Sequence, residues 1–198
     1  MTFPDNLLQA DNQATLWLNQ ANPAWLDPVW GVFSHVKIWF PLYFFIVGWI
    51  VWKLGWKKGL VITASLILCV LLTDQLANLV KSAVERLRPC HDAWMLEQGL
   101  RLPKGLTGGL YGFFSGHSCN CFGFAAASSA GLLLNGGKGK ASMAYAWGIG
   151  LWAALVAVSR VMLGAHFVGD ILVGTAVGVA IGLAMAYLAH AVIVKARL

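Results

Sequence analysis

Three short clusters hold the residues that could do chemistry: Lys81 with Arg88 and Pro89, then Ser115-Gly116-His117, then Arg160 with His166 and Asp170. Each sits at the end of a hydrophobic segment. Ionisable side chains are expensive there and mark a functional site by default. Fixed cations beside two imidazoles and a carboxylate suit a phosphoryl group. The cations can neutralise its oxygens, and imidazoles titrating near neutral pH can attack phosphorus or move protons.

Spacing suggests how each cluster converges. Lys81 and Arg88 are seven residues apart, about two helical turns, so they share a face with Asp74 and approximately with Asn78 and Glu85. Pro89 disfavours helix at Arg88, which loosens the turn and lets the guanidinium swing inward. Taken alone, both side chains could equally snorkel to lipid headgroups. Ser115 is a favoured N-cap before an apolar run, and Gly116 lets an anion approach the free N–H groups and dipole of that helix end. His117 would overhang this seat, although a plain cap needs no more than the same residues. Arg160 closes the next apolar segment and Gly164 can turn the chain. His166 then opens the last segment with Asp170 four residues on, on the same helical face. The carboxylate can hold one imidazole nitrogen while the other points outward as nucleophile or base. A merely helix-stabilising pair would have the same spacing.

The elements that must position these clusters are membrane helices. Of 198 residues 59% are hydrophobic and only 11% charged, far from the usual balance of a soluble domain. The expected fold is all-α, a single integral membrane helical bundle over residues 1–198. About five spans are predicted, near 36–53, 59–80, 117–135, 142–162 and 167–191. Residues 1–30 have no Lys or Arg, lack the basic start of a cleaved signal peptide and are expected to be retained. In them Leu7, Ala10, Ala14, Trp17, Leu18 and Ala21 recur at helical spacing. That predicts an amphipathic helix lying along the membrane surface, with a disordered tail as the alternative. Trp25 and Trp30 before the first span, and Trp52 and Trp56 after it, fit interfacial aromatic belts. Residues 88–114, with Pro89, Pro103 and Gly108-Gly109, read as a loop.

Charge gives the orientation. Lys53, Lys57 and Lys58, then Lys138 and Lys140, then Lys195 and Arg197 share one side if five helices alternate. By the positive-inside rule that side is cytoplasmic, with the N-terminus and the three clusters opposite and the C-terminus cytoplasmic. Lys81, Arg86, Arg88, Arg101, Lys104 and Arg160 run against the rule. A bound anion accounts for several of them, leaving Arg101 and Lys104 unexplained. Cys69 reads as packing, whereas Cys90 could bridge to Cys119 or Cys121 on the outer face. His35, His91 and His190 have no motif around them and read as structural. Gly174, Gly178 and Gly182 permit close helix packing within or between chains, so the oligomeric state is not readable. No nucleic-acid partner is expected.

Lys81, six residues, Arg88-Pro89; Ser115-Gly116-His117; and Ser159-Arg160, five residues, His166, three residues, Asp170 together resemble the type 2 phosphatidic acid phosphatase (PAP2) superfamily. Phe114 departs from the pattern, since the family usually has Pro before Ser-Gly-His. The resemblance implies a phosphohistidine at His166, with Asp170 orienting it and His117 protonating the leaving oxygen and later activating water. Lys81, Arg88, Arg160, Ser115 and the Gly116 N–H would hold the phosphoryl oxygens. No metal or other cofactor is implied.

A site at an outer membrane interface suits an amphiphile whose tail stays in lipid. The expected function is therefore hydrolysis of a lipid phosphate or diphosphate in a bacterial inner membrane, on the periplasmic side. Undecaprenyl diphosphate, phosphatidylglycerol phosphate, phosphatidic acid and lipid A phosphates are all compatible, and a polyprenyl diphosphate or related envelope lipid is favoured. The alternatives are a non-enzymatic lipid carrier or transporter, or a vanadate-dependent haloperoxidase; five spans weigh against the latter.

Overall fold

The computed structural model describes residues 5–103 and 108–198; Lys104 lies outside them. Among the described residues eight α-helices follow one another. They are α1 (Asp5–Ala21), α2 (Asp27–Ser34), α3 (Phe40–Leu54), α4 (Trp56–Val84), α5 (Ala93–Glu97), α6 (Gly116–Leu134), α7 (Lys140–Met162) and α8 (Val168–Lys195). Short 3-10 turns lead into α2 and α3 and precede α5. Gly55, at φ 84°, takes a backbone conformation that other residues avoid and so divides the first long apolar stretch into α3 and α4.

Among the described residues four helical segments are long and apolar enough to cross a membrane: Val36–Leu54, α4, α7 and α8. The fifth expected span is α6. It is shorter and carries Ser118, Asn120, Ser128 and Ser129, yet it runs between the same two ends of the bundle. Its first residue lies by Lys81, near the end of α4, where a Cβ on Gly116 would meet the Lys81 ammonium at 3.2 Å. Just past its last residue, Asn135 Oδ1 accepts a 2.9 Å hydrogen bond from His190 Nδ1 near the end of α8. A helix packed on α4, α7 and α8 meets protein rather than lipid, which explains its tolerance of small polar residues.

The closest packing in the bundle is between α6 and α8. Gly174, Gly178 and Gly182 lie against the backbone of Ser115, Cys119 and Gly123, and any side chain there would collide with it. This small-residue stripe therefore works within the chain. The main core joins Ile46 and Ile50 of α3, Ile62 and Leu66 of α4, Phe124 of α6 and Trp152 and Val156 of α7. Lys53 donates to Ser142 Oγ at 2.9 Å, tying the end of α3 to the start of α7.

The N-terminal segment is helical as expected, and besides Leu16 and Leu18, which pack on buried clusters of the bundle, it docks through polar residues. Leu7 and Trp17 are exposed, whereas Thr15 and Asn19 are fully buried. Asp11, Thr15 and Asn19, spaced by four, form the face that docks. Asp11 Oδ1 accepts from Gly169 N at 2.7 Å and Thr15 Oγ1 from Val168 N at 3.0 Å. These are open N–H groups of the first turn of α8, which no intrahelical carbonyl can reach. Asn19 Nδ2 donates to Met162 O at 3.0 Å and Arg101 O at 3.1 Å. Polar partners thus add to the packing of Leu16 and Leu18 in holding α1, because it covers two helix ends.

Arg101 finds its explanation in the same place. Its guanidinium pairs with Asp27 at 2.9 Å and donates to the Asn22 carbonyl, while its backbone N–H donates to Asn19 Oδ1 at 2.7 Å. The described part of the 88–114 connection also holds more than a plain loop. It contains α5, capped by Asp92, and anchors Met95 and Leu100 against Phe167. All four cysteines are free. Cys119 and Cys121 are buried in the bundle, so neither is available to a bridge with Cys90.

Candidate active site

The three clusters meet at one end of the bundle. α4 ends earlier than the seven-residue spacing suggests: Glu85 adopts φ 51°, in the left-handed region, and closes the helix. Arg88 therefore does not sit on the helix face of Lys81. It lies on extended chain that pairs with residues 110–112, Arg88 N donating to Leu110 O at 3.1 Å and Gly112 N to Arg86 O at 2.8 Å. This pairing turns the guanidinium inward. Nε donates to Tyr111 O at 3.1 Å and Nη1 to Ala165 O at 3.4 Å.

Ser115 caps α6, its Oγ accepting from Ser118 N at 3.4 Å, and its own N–H donates to Asp170 O at 3.0 Å. Gly116 and His117 begin the helix, so their N–H groups have no intrahelical acceptor. The His117 imidazole is hydrogen-bonded to the Ser34 backbone, and the Ser34 hydroxyl accepts from Arg160 Nη1. The end of α2 thus holds two of the candidate residues.

Gly164, at φ 68°, turns the chain after α7. His166 precedes α8 rather than opening it, because Phe167 is the N-cap. The expected pairing forms nonetheless: His166 Nδ1 lies 3.2 Å from Asp170 Oδ2, which also accepts from Phe167 N at 3.1 Å. The other carboxylate oxygen accepts from Arg86 Nη1 at 3.0 Å. A Cβ on Gly112 would lie 3.1 Å from Asp170 Oδ2 and 3.5 Å from His166 Nδ1, so glycine lets the 110–112 segment pass this close to the pair without crowding it. Burial holds the His166 pKa well below 6.5, and Arg88, Arg160 and Lys81 push it the same way. The imidazole is therefore neutral at physiological pH, with Nε2 as the nitrogen turned away from the carboxylate.

Lys81, Arg88, Gly116, His117 and His166 line one cavity of about 680 Å³. Ser115, Arg160 and Asp170 stand behind it, each at most 8% exposed. Beyond the basic end the cavity passes Asp74 and Asn120 and continues along Val70, Leu66, Phe40 and Val47 of α3 and α4. Its lining reaches Thr63, 18 residues before Lys81, which is about 27 Å along α4. Phe44, Ile67 and Leu71 on its rim are exposed on the flank of the bundle, so the cavity opens sideways. Such a space fits a phosphate at one end and an apolar chain along the rest. Among the described residues no three His, Cys, Asp or Glu side chains gather as metal ligands.

Two residues of this site carry no motif signal. Arg86 bridges Asp170 and Asp11, donating to Asp11 Oδ2 at 2.7 Å, and its guanidinium lies 3.9 Å over the Phe167 ring. Its violation of the charge rule is the trace it leaves in the sequence. Asp11 leaves none, since a carboxylate on an amphipathic helix reads as solvent-facing.

The profile of the PAP2 superfamily matches residues 60–193. A lipid A 4'-phosphatase of Porphyromonas gingivalis is 30% identical over 177 residues, 89% of this chain and 71% of that protein. Its counterpart in Bacteroides thetaiotaomicron is 29% identical over 185 residues, 93% of this chain and 79% of that protein. Among solved structures, the PAP2-type phosphatidylglycerolphosphate phosphatase of Bacillus subtilis superposes with a TM-score of 0.71 at 24% identity, over 97% of this chain and 88% of that one. LpxE of Aquifex aeolicus gives 0.64 at 24% identity, over 87% and 92%.

Proposed function

Since this chain belongs to the PAP2 superfamily, we propose that it removes phosphate from a lipid A-type or similarly built lipid through a phosphohistidine at His166. It is a multi-pass membrane protein and a phosphatase. The observation that carries the finer reading is the His166 imidazole, held through Nδ1 by Asp170, facing a cavity shared with Lys81, Arg88 and His117.

In this mechanism Lys81, Arg88, Arg160 and the first N–H groups of α6 hold the phosphoryl oxygens. His166 Nε2 attacks phosphorus as the bond to the lipid oxygen breaks, and protonated His117 gives that oxygen its proton. His117, now neutral, takes a proton from water. The resulting hydroxide displaces His166 from phosphorus, releasing inorganic phosphate and restoring both histidines. Asp170 fixes the tautomer and offsets the positive charge on the attacking ring. Fixed cations supply the charge neutralisation, so the reading needs no metal. The two curated relatives favour lipid A-type substrates over the polyprenyl diphosphates.

The lysines and arginine at the far end of the bundle, Lys53, Lys57, Lys58, Lys138, Lys140, Lys195 and Arg197, support a periplasmic site in an inner membrane. The decisive experiment measures phosphate release by purified protein in detergent from a panel of lipid phosphates, together with acid-labile phosphorylation mapped to His166. His166→Ala should lose both, and unchanged release would remove the nucleophile role. Tight lipid binding without release by the wild type would favour a carrier.

A further inference from the structure

Below the basic end of the cavity lies a polar group that the phosphate chemistry does not use. Asp74 is about 10 Å before Lys81 along α4 and lines the same cavity. Asn120 lines it too, about one turn deeper along α6 than His117. Among the described residues Asp74 has no cation at ion-pair distance; its carboxylate accepts instead from Asn78 Nδ2 at 3.2 Å and Asn120 Nδ2 at 3.4 Å. A carboxylate in a membrane helix is costly and calls for a partner.

Unused acceptors gather at this spot. Two hydrogen bonds occupy about half of the roughly four lone-pair sites of a carboxylate. Asn120 Oδ1 is buried and has no hydrogen-bond partner among the described residues. A buried acceptor left unpaired is unfavourable, so a ligand that brings donors here gains, and a ligand that brings only further acceptors loses. His117 is the group assigned to the leaving oxygen, which puts Asn120 and Asp74 along the path of the leaving group.

We propose that Asp74 and Asn120 form a headgroup subsite that accepts hydrogen bonds from hydroxyl or amide N–H groups flanking the scissile phosphate. The proposal rests on the phosphatase reading and sharpens its substrate class. It selects phosphate monoesters of donor-rich headgroups, such as hydroxylated and N-acylated sugars, and disfavours prenyl phosphates, whose chain offers no donor. A diphosphate fares worst, since its second phosphate would bring negative oxygens toward Asp74.

The test compares kcat/KM for an N-acylated glucosamine 4-phosphate lipid and for farnesyl phosphate, using the full chain in detergent. Wild type should prefer the sugar lipid. Asp74→Ala should reduce that preference by about ten- to a hundredfold, mostly through KM of the sugar lipid, in line with loss of hydrogen bonds to a charged group. Asp74→Asn, which keeps one acceptor, should recover part of it. Asn120→Ala should shift the ratio in the same direction, and carries the test alone if Asp74→Ala does not yield a folded, monodisperse protein. An unchanged ratio, or equal losses on both substrates, would overturn the subsite while leaving the phosphatase intact. Absence of phosphate release from either substrate by the wild type would instead overturn the phosphatase reading on which the subsite depends.

Discussion

At the scale of single residues, His166 combines burial with three nearby cations, and both keep its imidazole unprotonated. A depressed folded pKa has a definite sign. The acid limb of kcat/KM assigned to this histidine should fall below pH 6.5, and an acid limb at or above that value would contradict the assignment. Below about pH 6.5 the unfolded chain takes up a proton that buried His166 refuses, so stability should also fall as the medium is acidified. Urea midpoints measured across that range check it. Arg86 links Asp170 to Asp11, so Asp11→Ala should leave a partly buried guanidinium with a single carboxylate partner. We expect kcat to drop roughly tenfold, with KM little changed, on the scale of one lost charged hydrogen bond; steady-state kinetics decide. The catalytic candidates were legible because their residue types and spacings form motifs. Asp11 was not, since nothing local marks a carboxylate whose partner lies 75 residues away.

At the scale of elements, the spans were legible from hydropathy, and their ends were less so. Glu85 stops α4 in a left-handed conformation that the helical spacing of Lys81 and Arg88 conceals, and Phe167 rather than His166 caps α8. Helix α1 was legible as a helix but not in its docking, because Asp11, Thr15 and Asn19 satisfy backbone groups that only the folded bundle brings near. The contact of α6 with α8 carries a direct consequence, since one helix bears His117 and the other Asp170. Gly178→Ala places a methyl group on the Cys119 backbone and should force the two helices apart. Overpacking of this kind costs about 1–3 kcal/mol. Thermal melting in detergent should therefore show a lowered Tm, with activity reduced in parallel. A variant as stable and active as wild type would mean that the helices accommodate the methyl without separating.

At the scale of the whole molecule, the architecture puts the candidate site at one end and most of the basic connections at the other. On the proposed orientation, in a Cys90→Ser background whose remaining cysteines are buried in the bundle, Gly109→Cys should react with a membrane-impermeant maleimide on spheroplasts, and Gly139→Cys only after permeabilisation. The reverse pattern would invert the topology. Activity should persist after exhaustive EDTA treatment, and a strict requirement for added divalent metal would contradict a charge-neutralising role for Lys81, Arg88 and Arg160 alone. The sideways opening of the cavity past Phe44, Ile67 and Leu71 reaches further than fit. An enzyme loaded through its flank draws substrate from a two-dimensional film, so saturation is governed by the mole fraction of phosphorylated lipid in the surrounding amphiphile. Adding inert detergent at fixed substrate should then slow turnover by surface dilution, and the aqueous concentration of the lipid should hardly matter.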